Sequence, residues 1–209
     1  MSAPSMLRAD ARRNVELIRA AALEVFRERG LSAPLEDVAA AARVSKATIF
    51  NRFGGRVGLI DSVIDDVVAV ELLGVIDEAR SIAGIRERLS AYVRAIRNLQ
   101  YSLPAVNDVL LQEFPDSEPL MALCRAGQAF HGELAADGHA AGILADGVTA
   151  DDFQMLAMDN ALALKHGRVR PSPEDYDRRT RLVLGGICTP STSGVCRELG
   201  SVGFRADGA

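Results

Sequence analysis

Apolar residues recur at spacings of three and four along most of the chain, the period of a helix with one buried face. Val15, Ile18, Ala22, Val25 and Phe26 mark a first helix that ends near Arg29, with Gly30 placed to cap it. After the break "GLSAP", Pro34 suits the first turn of a short second helix whose buried face is Leu35, Val38, Ala39 and Ala42. Arg43 and Val44 are left as a tight turn. Ser45 stands where a cap satisfies the free N–H groups of a third helix, which runs to about Phe53 before Gly54 and Gly55 interrupt it.

The same period continues beyond that interruption. Leu59, Ile60, Val63, Ile64, Val67 and Val68 repeat at helical spacing, and so do 85–103, 104–114, 119–140 and 150–166. Thr149 is placed to cap the helix that carries Asp151 and Asp152, and Ser172 with Pro173 opens a last helix to about Leu184. No segment alternates as a strand does. The final stretch is rich in Gly, Ser and Thr and lacks periodicity, so residues 188–209 are expected to form a disordered tail.

The pattern therefore predicts an all-α protein. Residues 1–56 form a three-helix domain with a helix-turn-helix and a basic N-terminal arm, residues 57–187 form a larger helical domain, and the tail follows. With 209 residues, 48% of them hydrophobic, the chain is long enough to bury a sizeable core. No apolar run approaches the roughly 20 residues that span a bilayer, and the first ten residues do not read as a secretion signal, so a cytoplasmic location and no membrane partner are expected.

Charge separates the two parts. The net charge is −4, but residues 1–56 hold 10 Lys+Arg against 6 Asp+Glu, a net of +4, and the remainder carries −8. A basic front end joined to an acidic body suits binding of a polyanion at one end only.

Two short helices joined by a tight turn suit a helix-turn-helix, whose second helix enters the major groove of DNA. Val38, Ala39, Val44, Ile49 and Phe53 then hold the pair together, and Lys46, Ala47, Thr48, Phe50, Asn51 and Arg52 face outward. On spacing alone, such a bend fits any helical protein as well as a DNA-binding one. The residues decide further: "LIRAAALEVFRERGLSAPLEDVAAAARVSKATIFNRFGGRVGLIDSV", residues 17–63, resembles the N-terminal domain of the TetR family of bacterial transcriptional regulators in order and spacing. "GILADGVTADDFQMLAMDNALAL" and "SPEDYDRRTRLVLGGI" are similar to the last two long helices of actinobacterial-type members.

The resemblance implies a homodimer that binds a palindromic double-stranded DNA operator, most often as a repressor, under control of a small-molecule effector. It puts Lys46, Ala47 and Thr48 at the start of the recognition helix, Asn51 and Arg52 at positions that also approach DNA, and Arg56 at a phosphate-binding position. Phe50 replaces the usual Tyr, which removes a hydroxyl that reaches phosphate and leaves apolar contact with a thymine methyl. Arg43 replaces the usual Gly of the turn, setting a left-handed conformation against its cost. Gly54, Gly55 and Gly58 replace the usual connector residues and suggest looser coupling between the domains. Arg8, Arg12 and Arg13 suit an arm into the minor groove or a disordered basic tail.

The body offers less. Tyr92, Ile96, Leu99, Leu103, Val106, Leu110, Phe114, Leu123 and Phe130, with Tyr92, Asn107 or Gln128 as polar points, are candidates to line an effector pocket, against plain core packing. Phe153, Leu156, Asn160, Leu164, Tyr176 and Val183 are candidates for contact across the dimer. His131, His139 and His166 lack ligand-like spacing, and Cys124, Cys188 and Cys196 are odd in number and scattered, so neither a metal site nor a cofactor is expected. Asp65 with Asp66, and Asp151 with Asp152, point to different sides of their helices, and no nucleophile motif or phosphate loop is present, so no enzyme is expected. The rival reading is a helical adaptor that keeps the fold and has lost DNA binding.

Overall fold

The computed structural model describes residues 3–190, with side chains from Arg12 onward. Its elements are α1 (Ala3–Arg29), α2 (Leu35–Ala42), α3 (Lys46–Phe53), α4 (Arg56–Ile64), a π-helical turn (Asp65–Ala69), α5 (Val70–Ser81), α6 (Ile85–Ser102), α7 (Pro104–Leu110), α8 (Glu118–Ala140), α9 (Ala150–His166) and α10 (Pro173–Ile187). The junctions around the π turn, at Ile64, Asp65, Ala69 and Val70, keep right-handed helical dihedrals, so α4 and α5 form one continuous rod. No strand occurs among the described residues, and the fold is all-α.

Short polar side chains start these helices. Ser45 accepts from the Thr48 N–H, Ser117 from Leu120 and Ser172 from Asp175, while Thr149 and Asp152 form a reciprocal capping box. Pro34 sits one residue earlier than its expected place in the first turn of α2, as the extended residue before it. The α1 backbone is helical from Ala3, so Arg12 and Arg13 are exposed on a helix and not on an extended arm; the side chain of Arg8 lies outside the described residues.

One continuous core runs from Ile18, Phe26, Val38 and Ile49 in the front domain through Leu59, Ile60 and Ile64 to Leu89, Val106, Leu120, Phe130 and Leu134 in the body. The rod α4–α5 spans both parts, packing on α1 and α3 at one end and on α6 and α8 at the other. The α1–α2 turn meets the body as well, because α1 packs against α7. Gly30 is obligatory there: its φ is +87°, and a Cβ would lie 2.5 Å from Asp108 Oδ2.

The packed chain continues past α10. Leu144 bridges Cys188, Ala145 N–H donates to the Ile187 carbonyl at 3.0 Å, and Thr189 N–H donates to the Ile143 carbonyl at 2.8 Å. Cys188 and Thr189 thus belong to the folded body, and the tail expectation from residue 191 onward lies outside the described residues.

Candidate nucleic-acid interface

The α2–turn–α3 unit is held by Val38, Ala39, Ala42 and Ile49, all buried, with Val44 and Phe53 packed against them. Their spacing points the rest of α3 to solvent. Lys46, Ala47, Phe50, Asn51 and Arg52 are exposed and Thr48 is half-buried. Thr48 belongs partly to the cap, with its Oγ1 2.9 Å from Ser45 Oγ. Lys46 donates to Glu36 at 2.6 Å, a bond that holds the Glu36 carboxyl below the usual carboxylate range. Asn51 and Arg52 make no hydrogen bond or ion pair with any described residue.

Arg43 adopts the left-handed conformation that its Gly-like position demands, at φ 55° and ψ 41°. That geometry lets its N–H bond the Ala39 and Ala40 carbonyls, while the side chain stays exposed. Phe50 is 49% exposed, and its ring edge lies on Gly55, where a Cβ would come within 3.2 Å. Gly58 allows the start of α4 to approach the Phe53 carbonyl so closely that any Cβ would collide with it. Gly55 and Gly58 thus sit in a crowded corner, while the position of a Cβ on Gly54 is open. Arg56 is turned inward: one guanidinium nitrogen donates to the Leu31 and Ala33 carbonyls, each at 2.6 Å, bracing the α1–α2 turn instead of lying open to a phosphate.

This turn is also where the front domain meets the body. Asp108 of α7, 2% exposed at its side chain, accepts from the Leu31 N–H at 2.5 Å and from Ser32 Oγ at 3.1 Å. Lys165 of α9 reaches Asp108, Ser32 and, at 2.5 Å, Glu113. Burial outweighs these partners at Asp108 and pushes its carboxyl up; on Lys165 burial opposes the charge, but the two carboxylates prevail and raise the ammonium above its ordinary value. Nothing in the local sequence pattern marks Asp108 or Lys165, because their pairing joins positions 57 apart.

In the body, the residues expected to line one pocket are spread over several places. Tyr92 and Ile96 line a slit with Val93, Arg97, His131, Phe153, Leu156, Ala157 and Val183. Leu99 and Leu103 face a separate open groove beside Glu24 and Glu71. Asn107 lines a cavity of about 200 Å³ at the junction with Arg29, Asp108, Lys165 and Arg170. Val106, Leu123 and Phe130 are buried core, Leu110 and Phe114 pack partly buried against it, and Gln128 is exposed.

Three of the expected dimer contacts are corrected by their burial. Phe153, Tyr176 and Asn160 are 4%, 4% and 8% exposed within a single chain. Phe153 stacks on His131; Asn160 donates to Gln100 Oε1 and to Tyr176 Oη, both at 2.8 Å, and Tyr176 donates to the Arg97 carbonyl at 2.7 Å. These bonds make a polar spine through the bundle. Leu156, Leu164 and Val183 are half-buried, and the outward apolar positions on α9 and α10 are Met155, Leu162 and Leu182.

The described residues thus form an all-helical fold that presents an exposed helix-turn-helix face beside a larger helical body. The family model for bacterial regulatory proteins, tetR family, matches residues 18–63 of this chain. No curated protein matches the sequence.

Solved structures share the fold. A TetR-family transcriptional regulator from Agrobacterium tumefaciens aligns with TM-score 0.61 at 18% identity, over 86% of this chain and 100% of that one. The ketosteroid transcriptional regulator KstR2 of Mycobacterium tuberculosis aligns with TM-score 0.58 at 18% identity, over 85% and 96%. AibR, solved in complex with isovaleryl coenzyme A and operator DNA, aligns with TM-score 0.61 at 18% identity, over 82% and 96%.

Proposed function

We propose that the chain binds a palindromic operator as a homodimer, acts as a repressor, and is released from DNA by a small effector bound in its body. The outward set on α3 carries this reading. Asn51 and Arg52 are free of protein partners and so are available to base edges, Lys46 and Arg43 lie beside them for phosphates, and Phe50 offers an apolar contact for a thymine methyl. The exposed apolar positions Met155 and Leu162, seven apart on one face of α9, together with Leu182 on α10, suit burial against a second copy. AibR, solved with both an acyl-coenzyme A and operator DNA, supports the pairing of effector and operator in this fold.

Control follows from the junction. Lys165, Asp108 and Glu113 grip the α1–α2 turn, so an effector that favours a different position of α9 changes how the front domain is held, and with it the spacing of two recognition helices. The effector must bind that state more tightly than the DNA-competent one.

Fragments selected from the source genome by the full chain give the operator, and a gel shift then measures affinity. Asn51→Ala and Arg52→Ala are each expected to weaken the specific complex by about 1–3 kcal/mol, roughly five- to 150-fold, with folding unchanged because neither side chain has a partner among the described residues. Equal affinity of both variants and the parent for the selected operator overturns the assignment of α3. Sedimentation showing only monomer at micromolar concentration, with or without DNA, overturns the homodimer.

A further inference from the structure

The slit between α6, α8, α9 and α10 holds two features that ordinary core packing does not require. The first is His131, 3% exposed, whose Nδ1 has no hydrogen-bond partner, while its Nε2 lies 2.7 Å from Tyr92 Oη. If the phenol donates to Nε2, one group is left unmet, the Nδ1–H. The opposite assignment leaves both the phenol hydrogen and a ring lone pair unmet, so Nδ1 carries the proton and is a buried donor with no acceptor.

The second feature is Arg97, 8% exposed and lining the same slit. Its Nε donates to Thr180 Oγ1 at 2.8 Å and its guanidinium lies 4.9 Å from the centre of the Tyr176 ring, but it forms no ion pair with any described residue. Buried cations are ordinarily paired. Here one unpaired cation and one unmet donor share a slit whose remaining walls are chiefly apolar, Val93, Ile96, Phe153 and Leu156 among them. An anionic acceptor with an apolar body is the ligand chemistry that such a lining calls for.

We infer that this slit is the effector site and that its effector is an apolar carboxylic acid, its carboxylate held by Arg97 and His131 and its hydrocarbon body lying among Val93, Ile96, Phe153 and Leu156. The inference rests on the regulator reading above and gives that reading a ligand class. One guanidinium and one neutral N–H match a single negative charge better than the two of a phosphate monoester.

The slit's volume also bears on mechanism. At about 20 Å³ it holds roughly one water, so an acid must part the helices to enter. Helix α9 lines the slit through Phe153, Leu156 and Ala157 and carries Lys165 nine residues beyond Leu156, about 14 Å along the same axis. Moving α9 outward therefore reaches the Asp108 grip on the α1–α2 turn without a further relay.

Calorimetric titration of the full chain with octanoate, decanoate and phenylacetate, against octan-1-ol, decan-1-ol and 2-phenylethanol, tests this. At least one acid is expected to bind one per chain and at least tenfold more tightly than its alcohol. Arg97→Met should abolish that preference, Arg97→Lys should restore part of it, and His131→Phe, which keeps the stacking on Phe153, should weaken the acid and spare the alcohol.

Failure of every acid to bind, equal binding of acid and alcohol, or an intact preference in folded Arg97→Met overturns the site. Should Arg97→Met not fold, the parent's acid-to-alcohol ratio and His131→Phe decide the matter in the same way. A gel shift on the selected operator without acid separates the two readings. A shift with no acid binding removes the carboxylate site and leaves the regulator; acid binding with no shift removes the regulator and leaves the site.

Discussion

The outer face of α3 and the interior of the body treat polar side chains in opposite ways. On α3, Asn51 and Arg52 stand in solvent with no partner among the described residues, at little energetic cost because water satisfies them. In the body, Gln100, Asn107, Asn160, Tyr176 and Asp108 are buried and bonded to one another or to backbone, while His131 Nδ1 is buried without a partner and Arg97 is buried without an ion pair among the described residues. A surface site for a polyanion needs only the right residues pointing outward. An interior site for a small molecule is built from unmet groups, and the protein carries their desolvation cost when the site is empty.

The largest test of this contrast falls where the two regions meet. Asp108→Ala removes the acceptor of the buried Leu31 N–H and one of the two carboxylates around Lys165, and is expected to lower the unfolding free energy by about 3 kcal/mol in urea titrations. A loss below about 1 kcal/mol would show that the two regions are held by the shared core of α4 and α1 alone.

Acid distinguishes the regions next, because all three histidines, His131, His139 and His166, lie in the body. Burial pulls the His131 imidazole from its ordinary 6.5 down to about 4. Between those values the unfolded chain takes up a proton that the folded chain refuses, so the stability is complete above pH 6.5 and falls as pH drops through the window. The loss reaches about 3 kcal/mol near pH 4. His131→Phe should flatten that part of the pH profile measured by urea unfolding; an unchanged slope would mean that His131 is not shielded as the geometry requires.

The smallest effect is in the front domain. Arg43→Gly relieves a left-handed backbone at φ 55° and should raise stability by about 0.5–1 kcal/mol while weakening operator binding through loss of one positive charge. Loss of stability would instead assign the Arg43 side chain a structural role that its exposure does not indicate.

Much of the front domain was legible because its logic is local. Ser45 as a cap, Gly54 as a terminator and the apolar positions Val38, Ala39, Ile49 and Phe53 lie within a few turns of one another, so their spacing alone orients α3. Arg56 escaped that logic: its partners are the carbonyls of Leu31 and Ala33, more than twenty positions earlier, and only the path of the chain brings them to its guanidinium. Gly58 shows the same limit, since the backbone crowding at Phe53 is invisible until α3 and α4 are placed.

In the body, periodicity identified the helices but not their rotation. On α9, Phe153, Leu156, Asn160 and Leu164 form one helical stripe, and Met155 with Leu162 forms another; both are apolar enough to face either the core or a second copy. The sequence by itself determined an all-helical chain, the helix-turn-helix with its outward residues, and the division between a basic front and an acidic body, because each depends on spacing or charge within a short segment. Only the tertiary structure decided which stripe of α9 is core, that Asp108 and Lys165 clasp the front domain, and that His131 and Arg97 share one slit. Those facts depend on contacts between residues tens of positions apart, where the sum of many weak packing energies over the whole bundle chooses the rotation of each helix.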